Sequence, residues 1–273
     1  MSTGNSEKQQ GMSIIRLIES LGSRIIESVS SVGDMCLFLL KVLYRCVTPP
    51  FKVSTLIDQI NVIGVQSIFV VSLVGLFTGA VLAVQGEYTL SKFGATAFLG
   101  PAVALSLIRE LGPVLTALMV NGRAGSAMTA ELGIMKISEQ VDALRAMSVD
   151  PLRYLMVPRI LAGLISVPLL TCIFNVIGIA GGYCVAVGSL GLSSGTFIEH
   201  MVSSVGDVDV ISGVVKSFVF GLIVSWVACY KGWTCDFGAV GVNKATTSAV
   251  VMSSVLILVM DYFLTSILTQ VFL

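Results

Sequence analysis

The chain has 273 residues, 55% hydrophobic and 12% charged, with sixteen basic and sixteen acidic side chains. That balance gives no support to nucleic acid as a partner. Residues 160–198 carry no charge, and an apolar run longer than about 18 residues calls for a bilayer rather than a soluble core. The class is therefore an all-α polytopic membrane protein.

The six cysteines, at 36, 46, 172, 184, 229 and 235, show no CxxC and no regular spacing. They read as small apolar filler rather than as metal ligands or disulfide partners. His200 is the only histidine, which counts against a histidine metal cluster and against a Ser-His triad.

In chain order, residues 1–11 are polar and read as a flexible N-terminus. They do not look like a cleavable signal peptide. Residues 12–50 read as an interfacial amphipathic region. From Ser13 to Val32 apolar side chains recur at 14, 18, 21, 25, 29 and 32, opposite Arg16, Glu19, Arg24, Glu27 and Ser31. That period predicts a helix lying on the bilayer surface, or one packed on a soluble partner. A more apolar piece, Met35 to Val47, is stopped by Pro49-Pro50. Residues 51–273 read as the membrane domain.

Five spans are predicted there, at about 60–84, 95–120, 158–187, 211–230 and 245–270. Gly75 and Gly79 form a small-xxx-small pair that admits a close helix neighbour. Pro168 predicts a kink in span three. Residues 188–210 read as a loop holding Glu199, Asp207 and Asp209 but no Lys or Arg. With the N-terminus in the cytoplasm, six basic residues before span one, five between spans two and three and two between spans four and five lie inside, and only Lys92 lies outside. The positive-inside rule selects that orientation and leaves the C-terminus outside. Five spans do not divide into two inverted halves, unlike the commonest secondary transporters.

Two constellations stand out. Arg109-Glu110 falls near the middle of span two, where ionisable groups usually face a bundle interior or a wet cavity. Pro113 has no N–H for the carbonyl of residue 109 and Gly112 loosens the backbone, so a bend that exposes polar backbone is predicted there. Lys216, in the outer half of span four, is positioned to face the same cavity. The cluster reads either as a polar spot for the charged head of an amphiphile or as an ion pair bracing helices. Asp261 reads as an interfacial carboxylate near the outer surface.

The second constellation is a short amphipathic helix at about 138–149. Val141, Leu144 and Met147 make an apolar stripe beside Glu139, Asp142 and Arg145, with Asp150-Pro151 as its end. Such a helix inserts its stripe into a partner's groove or lies flat on lipid.

The segments RELGPVLTALMVNGRAGSAMTAELG (109–133) and EQVDALRAMSVDPLRYLMVPR (139–159), with the later GVNKATTSAVV and MDYFLT, resemble the MlaE/YrbE permease family of lipid-transport ABC systems. The likeness covers roughly residues 50–270. It implies an MlaE-type permease domain at 51–273 that works as a homodimer in a bacterial inner membrane. It implies a cytosolic MlaF-type ATPase, which would use the ATP, and a periplasmic MlaD-type ring of MCE domains. A STAS-type accessory subunit is a further possible partner. The family moves phospholipid between the inner membrane and the outer-membrane pathway. By the same resemblance the helix at 138–149, with Glu139, Val141, Asp142, Leu144, Arg145, Met147 and Asp150, matches the ATPase-coupling helix. Arg109, Glu110, Leu111 and Lys216 match lipid-pocket positions, as do Leu82, Leu90 and Phe93.

The chain has no G-x-x-x-x-G-K-[ST] phosphate loop, so a nucleotide-driven cycle needs a separate ATPase and the chain itself reads as a permease, not an enzyme. An ATPase-independent secondary transporter or channel for an amphiphile is the alternative. A membrane-embedded enzyme would need a clustered acid, base or nucleophile set, which the sequence does not offer.

Overall fold

The computed structural model describes residues 30, 33–46 and 53–272. The segment 13–32, expected to form a surface helix, lies almost wholly outside them. The chain divides into two compact units, Met1–Thr48 and Pro49–Leu273. In the first, residues 33–46 form one helix, α1.

The second unit is helical, with no strand among its described residues, and holds five helical stretches long and apolar enough to cross a membrane. The first is α2 (Val53–Ile63), a short 3-10 turn (Val65–Ser67) and α3 (Ile68–Ser91). The second is a single 42-residue stretch, Thr96–Ile137. It contains α4 (Leu99–Ser106), a π-turn at Leu107–Leu111, α5 (Gly112–Val120), a second π-turn at Asn121–Gly125 and α6 (Ser126–Ile137). At 1.5 Å per residue it is about 63 Å long, twice the hydrocarbon core. It therefore continues past the expected end near residue 120, and the small-residue run Gly122–Ser126 belongs to it.

Next comes the short α7 (Gln140–Ala146), then a π-turn (Leu152–Met156) leading into α8 (Val157–Gly188). Asp150 does not close α7. Its Oδ1 accepts the Leu152 N–H at 3.1 Å and starts the third span. Helix α8 runs unbroken through Pro168. The expected loop at 188–210 contains a helix of its own, α9 (Ser194–Ser204), which packs on α4. Its Phe197 is buried. Spans four and five are α10 (Asp207–Trp233) and α11 (Ala239–Phe272).

Helix α8 packs on α2, α3, α5 and α10, and α10 packs also on α6 and α11. Close approach of α3 and α8 depends on glycine: a Cβ at Gly79 would overlap the Gly178 carbonyl, and one at Gly75 would lie 3.0 Å from the Phe174 carbonyl. The small-xxx-small pair thus does what its spacing predicted. Helix α11 is the least buried of the five spans. All six cysteines are free thiols. Burial raises the Cys235 thiol above its usual range, opposed in part by Lys136, which keeps it protonated at neutral pH.

Candidate functional site

Pro113 explains how the charged site is built. It leaves the carbonyl of Arg109 without the N–H that an ordinary helix residue would donate. The chain is wound there into the π-turn Leu107–Leu111, directly before Gly112-Pro113. Lys216 of α10 donates its Nζ to that carbonyl at 2.9 Å.

Lys216 is only 1% exposed. Besides Arg109 O, its ammonium donates to Glu110 Oε2 at 2.5 Å and Thr265 Oγ1 at 2.7 Å. An ammonium has three protons, and these three acceptors use them. Asp261 Oδ1, 3.2 Å from Nζ, is a fourth neighbour of the ammonium. Thr265 Oγ1 also reaches Glu110 Oε2 at 3.2 Å.

Arg109 and Glu110 are more open, with side chains 36% and 41% exposed. Arg109 Nε lies 3.5 Å from Asp209 Oδ1. Asp209 also accepts the Gly206 N–H at the start of α10, at 2.9 Å. These groups border a cavity of about 210 Å³ between the first π-turn, the N-terminal end of α10 and the last turns of α11, where Leu268 and Thr269 complete the wall. Chemically it is a narrow polar cavity with one partly exposed guanidinium and one partly exposed carboxylate, set among membrane spans.

A family model, Permease MlaE, matches residues 56–267. The chain belongs to the MlaE permease family. Among its relatives is the intermembrane phospholipid transport system permease protein MlaE of Haemophilus influenzae, 42% identical over 93% of this chain and 98% of that one. A probable ABC transporter permease protein of Rickettsia bellii is 43% identical over 94% of this chain and all of its own length. A chloroplast protein of Arabidopsis thaliana, TRIGALACTOSYLDIACYLGLYCEROL 1, is 37% identical over 78% of this chain and 61% of its own.

In this family member Arg109, Glu110 and Lys216 do come together, but they differ in exposure. All three line the cavity; Lys216 is enclosed and holds Arg109 O, Glu110 and Thr265, whereas Arg109 and Glu110 are partly exposed. Asp261 is not a lone interfacial carboxylate, since it sits against Lys216 beside Thr265. The signal for it was present in the sequence: Asp261 and Thr265 are four apart in an apolar span, hence on one helical face. Asp209, Ser212 and Lys216 share a face of α10 in the same way. Leu111, Leu82, Leu90 and Phe93 do not line this cavity. Leu82 instead lines a shallow apolar groove along α3 with Phe77 and Val81, and Phe93 is exposed.

The predicted coupling stripe divides too. Val141 is 5% exposed and turned into its own chain, whereas Met147 is 65% exposed. Leu144 is half-buried, and Glu139, Asp142 and Arg145 are exposed. Glu139 and Ser148, on either side of α7, both have φ of 58°, so tight left-handed turns set its direction. Arg145 lies over the Trp233 ring at 5.7 Å and pairs with Asp142 at 2.9 Å. Lys136 donates to Cys235 O at 2.7 Å.

Two further polar anchors were not legible from residue order. Arg159, 3% exposed, pairs with Glu131 at 2.9 Å and donates to Leu155 O at 2.8 Å. Arg123 donates to Val62 O at 2.7 Å, to Ser67 Oγ at 2.9 Å and to Gln66 Oε1, fastening the second π-turn to the junction of α2 and α3. Next to it, Asn121 Nδ2 donates to Val250 O at 2.9 Å and Ser254 Oγ at 3.1 Å on α11.

Proposed function

We propose that this protein is the permease subunit of an ABC-type transporter that moves phospholipid between the inner membrane and the periplasmic, outer-membrane pathway. The observation that carries the reading is the cavity beside Lys216, which places an exposed guanidinium and carboxylate within a membrane bundle whose relatives include a phospholipid permease. A phosphate meets a guanidinium through two parallel hydrogen bonds, and acyl chains have apolar span surface beside it. The cycle is driven by a separate cytosolic ATPase of the MlaF type that docks on α7. The N-terminus lies in the cytoplasm and the C-terminus in the periplasm. The chain works as a homodimer under an MlaD-type MCE ring, with a STAS-type subunit as a further partner.

Within this reading the residues do three things. Lys216 pairs with Glu110 and Asp261 and holds the first π-turn to α10 and α11. Arg109 meets the phosphate at the cavity mouth. Met147 and Leu144, on the exposed side of α7, seat in the ATPase. The test is purification from native membranes, followed by ATPase and vesicle-to-vesicle lipid-transfer assays. We expect a co-purifying ATPase, ATP-dependent transfer, and no hydrolysis by the chain alone. Hydrolysis by the lone chain, or transfer that needs neither ATP nor partner, overturns the reading.

A further inference from the structure

We infer that the cavity beside Lys216 selects a zwitterionic phosphoethanolamine head group over a purely anionic one, with Arg109 taking the phosphate and Glu110 and Asp209 taking the ammonium. The inference rests on the reading of the cavity as a lipid site and adds the class of head group.

The argument begins with charge. The cluster contains two cations, Arg109 and Lys216, and three carboxylates, Glu110, Asp209 and Asp261. Fully ionised it carries one net negative charge, and with one carboxyl protonated it is neutral. Two carboxyls must be protonated before it becomes positive. An anionic head group entering this cavity therefore finds no surplus of positive charge and meets like charge in the carboxylates, which disfavours it.

Exposure then decides which charges a ligand meets. Lys216, the natural point charge for a phosphate, is enclosed and its three protons are committed. Arg109 is open on the cavity side, and its 3.5 Å contact with Asp209 is longer than a hydrogen bond, so its planar fork remains for a phosphate. Glu110 receives Lys216 and Thr265 on the same oxygen, Oε2, which leaves Oε1 toward the cavity. A ligand thus meets a guanidinium with two carboxylates in the same cavity wall, the set that a phosphate joined to an ammonium complements. The partial positive charge at the start of α10 does not alter this, because Asp209 Oδ2 already accepts there. A volume of about 210 Å³ lies below the roughly 300–1,000 Å³ of a drug-sized pocket, so it admits a head group and leaves the acyl chains outside.

The experiment reconstitutes the full chain with equimolar phosphatidylethanolamine and phosphatidylglycerol, re-purifies it, and counts bound lipid by mass spectrometry. We expect phosphatidylethanolamine enriched about fivefold among bound lipid. Asp209→Asn and Glu110→Gln should each bring the ratio to parity. Because Glu110 also holds Lys216, Asp209→Asn is the deciding variant; its amide oxygen still caps α10. Arg109→Gln should lower binding of both lipids. Bound lipid at a ratio of one in the wild type, or a ratio unmoved by Asp209→Asn, overturns the head-group inference and leaves the lipid site standing. No bound lipid at all overturns the site itself. Soluble glycerophosphoethanolamine added in excess should not displace the lipid; displacement would identify the free head group as the ligand and overturn the lipid assignment.

Discussion

Lys216 Nζ donates to the carbonyl oxygen of Arg109 at 2.9 Å, the one backbone acceptor that Pro113 leaves without its usual donor. A local sequence feature of span two is thus completed by a side chain 107 residues away. The same ammonium pairs with Glu110 and lies 3.2 Å from Asp261, so one buried lysine serves a broken helix and two carboxylates together.

On the proposed reading Lys216 serves stability and Arg109 serves binding. Lys216→Met should lower thermal stability in detergent by about 1–3 kcal/mol, because it leaves the Arg109 carbonyl and the Asp261 carboxylate without their donor. Arg109→Ala, at a side chain one-third exposed, should shift the melting temperature little and reduce bound phospholipid and transfer. Thermal unfolding and lipid content measured on the same preparations check both. Equal melting losses with unchanged lipid content would make the whole cluster a brace.

The exposed side of α7 should bind the ATPase. Met147→Asp, and more weakly Leu144→Asp, should remove the co-purifying ATPase from a folded, inserted permease, since a charge in the docking groove is desolvated without a partner. Val141→Asp should behave differently and reduce the yield of folded protein, because Val141 is buried in its own chain. Wild-type ATPase recovery with Met147→Asp would show that α7 is not the docking element.

The Arg159–Glu131 pair predicts an asymmetry. Glu131→Leu strands a guanidinium that is 3% exposed, and should cost about 3 kcal/mol or more. Arg159→Met leaves only a half-exposed carboxylate, which water can solvate, and should cost clearly less. Melting temperatures of the two variants in one detergent decide it; the reverse order would mean that the pair is hydrated in the membrane.

Gly79→Leu should prevent α3 and α8 from packing, because even a Cβ overlaps the Gly178 carbonyl. Overpacking of this kind costs about 1–3 kcal/mol, and more when backbone must move. Gly94→Ala is the informative contrast. Its space is open, but its φ of 65° is left-handed, so only the smaller backbone strain remains. Expression and melting temperature should fall much further for Gly79→Leu.

What the sequence determined by itself was carried by local rules. Long uncharged runs required five spans, Gly75 and Gly79 marked a close helix contact, Arg109-Glu110 ahead of Gly112-Pro113 marked the broken turn, and the long motifs named the family. Which polar groups meet is a matter of how the helices pack. These spans are apolar on nearly every side, so periodicity does not reveal the inward face. Asp261 and Thr265 therefore looked unrelated to Lys216, and Arg159 unrelated to Glu131. Boundaries shifted for a similar reason: the second span continues to Ile137 and α9 forms from an apparent loop because neighbours bury Leu132 and Phe197. The division between an enclosed Lys216 and an open Arg109 depends on how α10 and α11 are rotated against the π-turn, and that rotation is set by contacts between residues far apart in the chain.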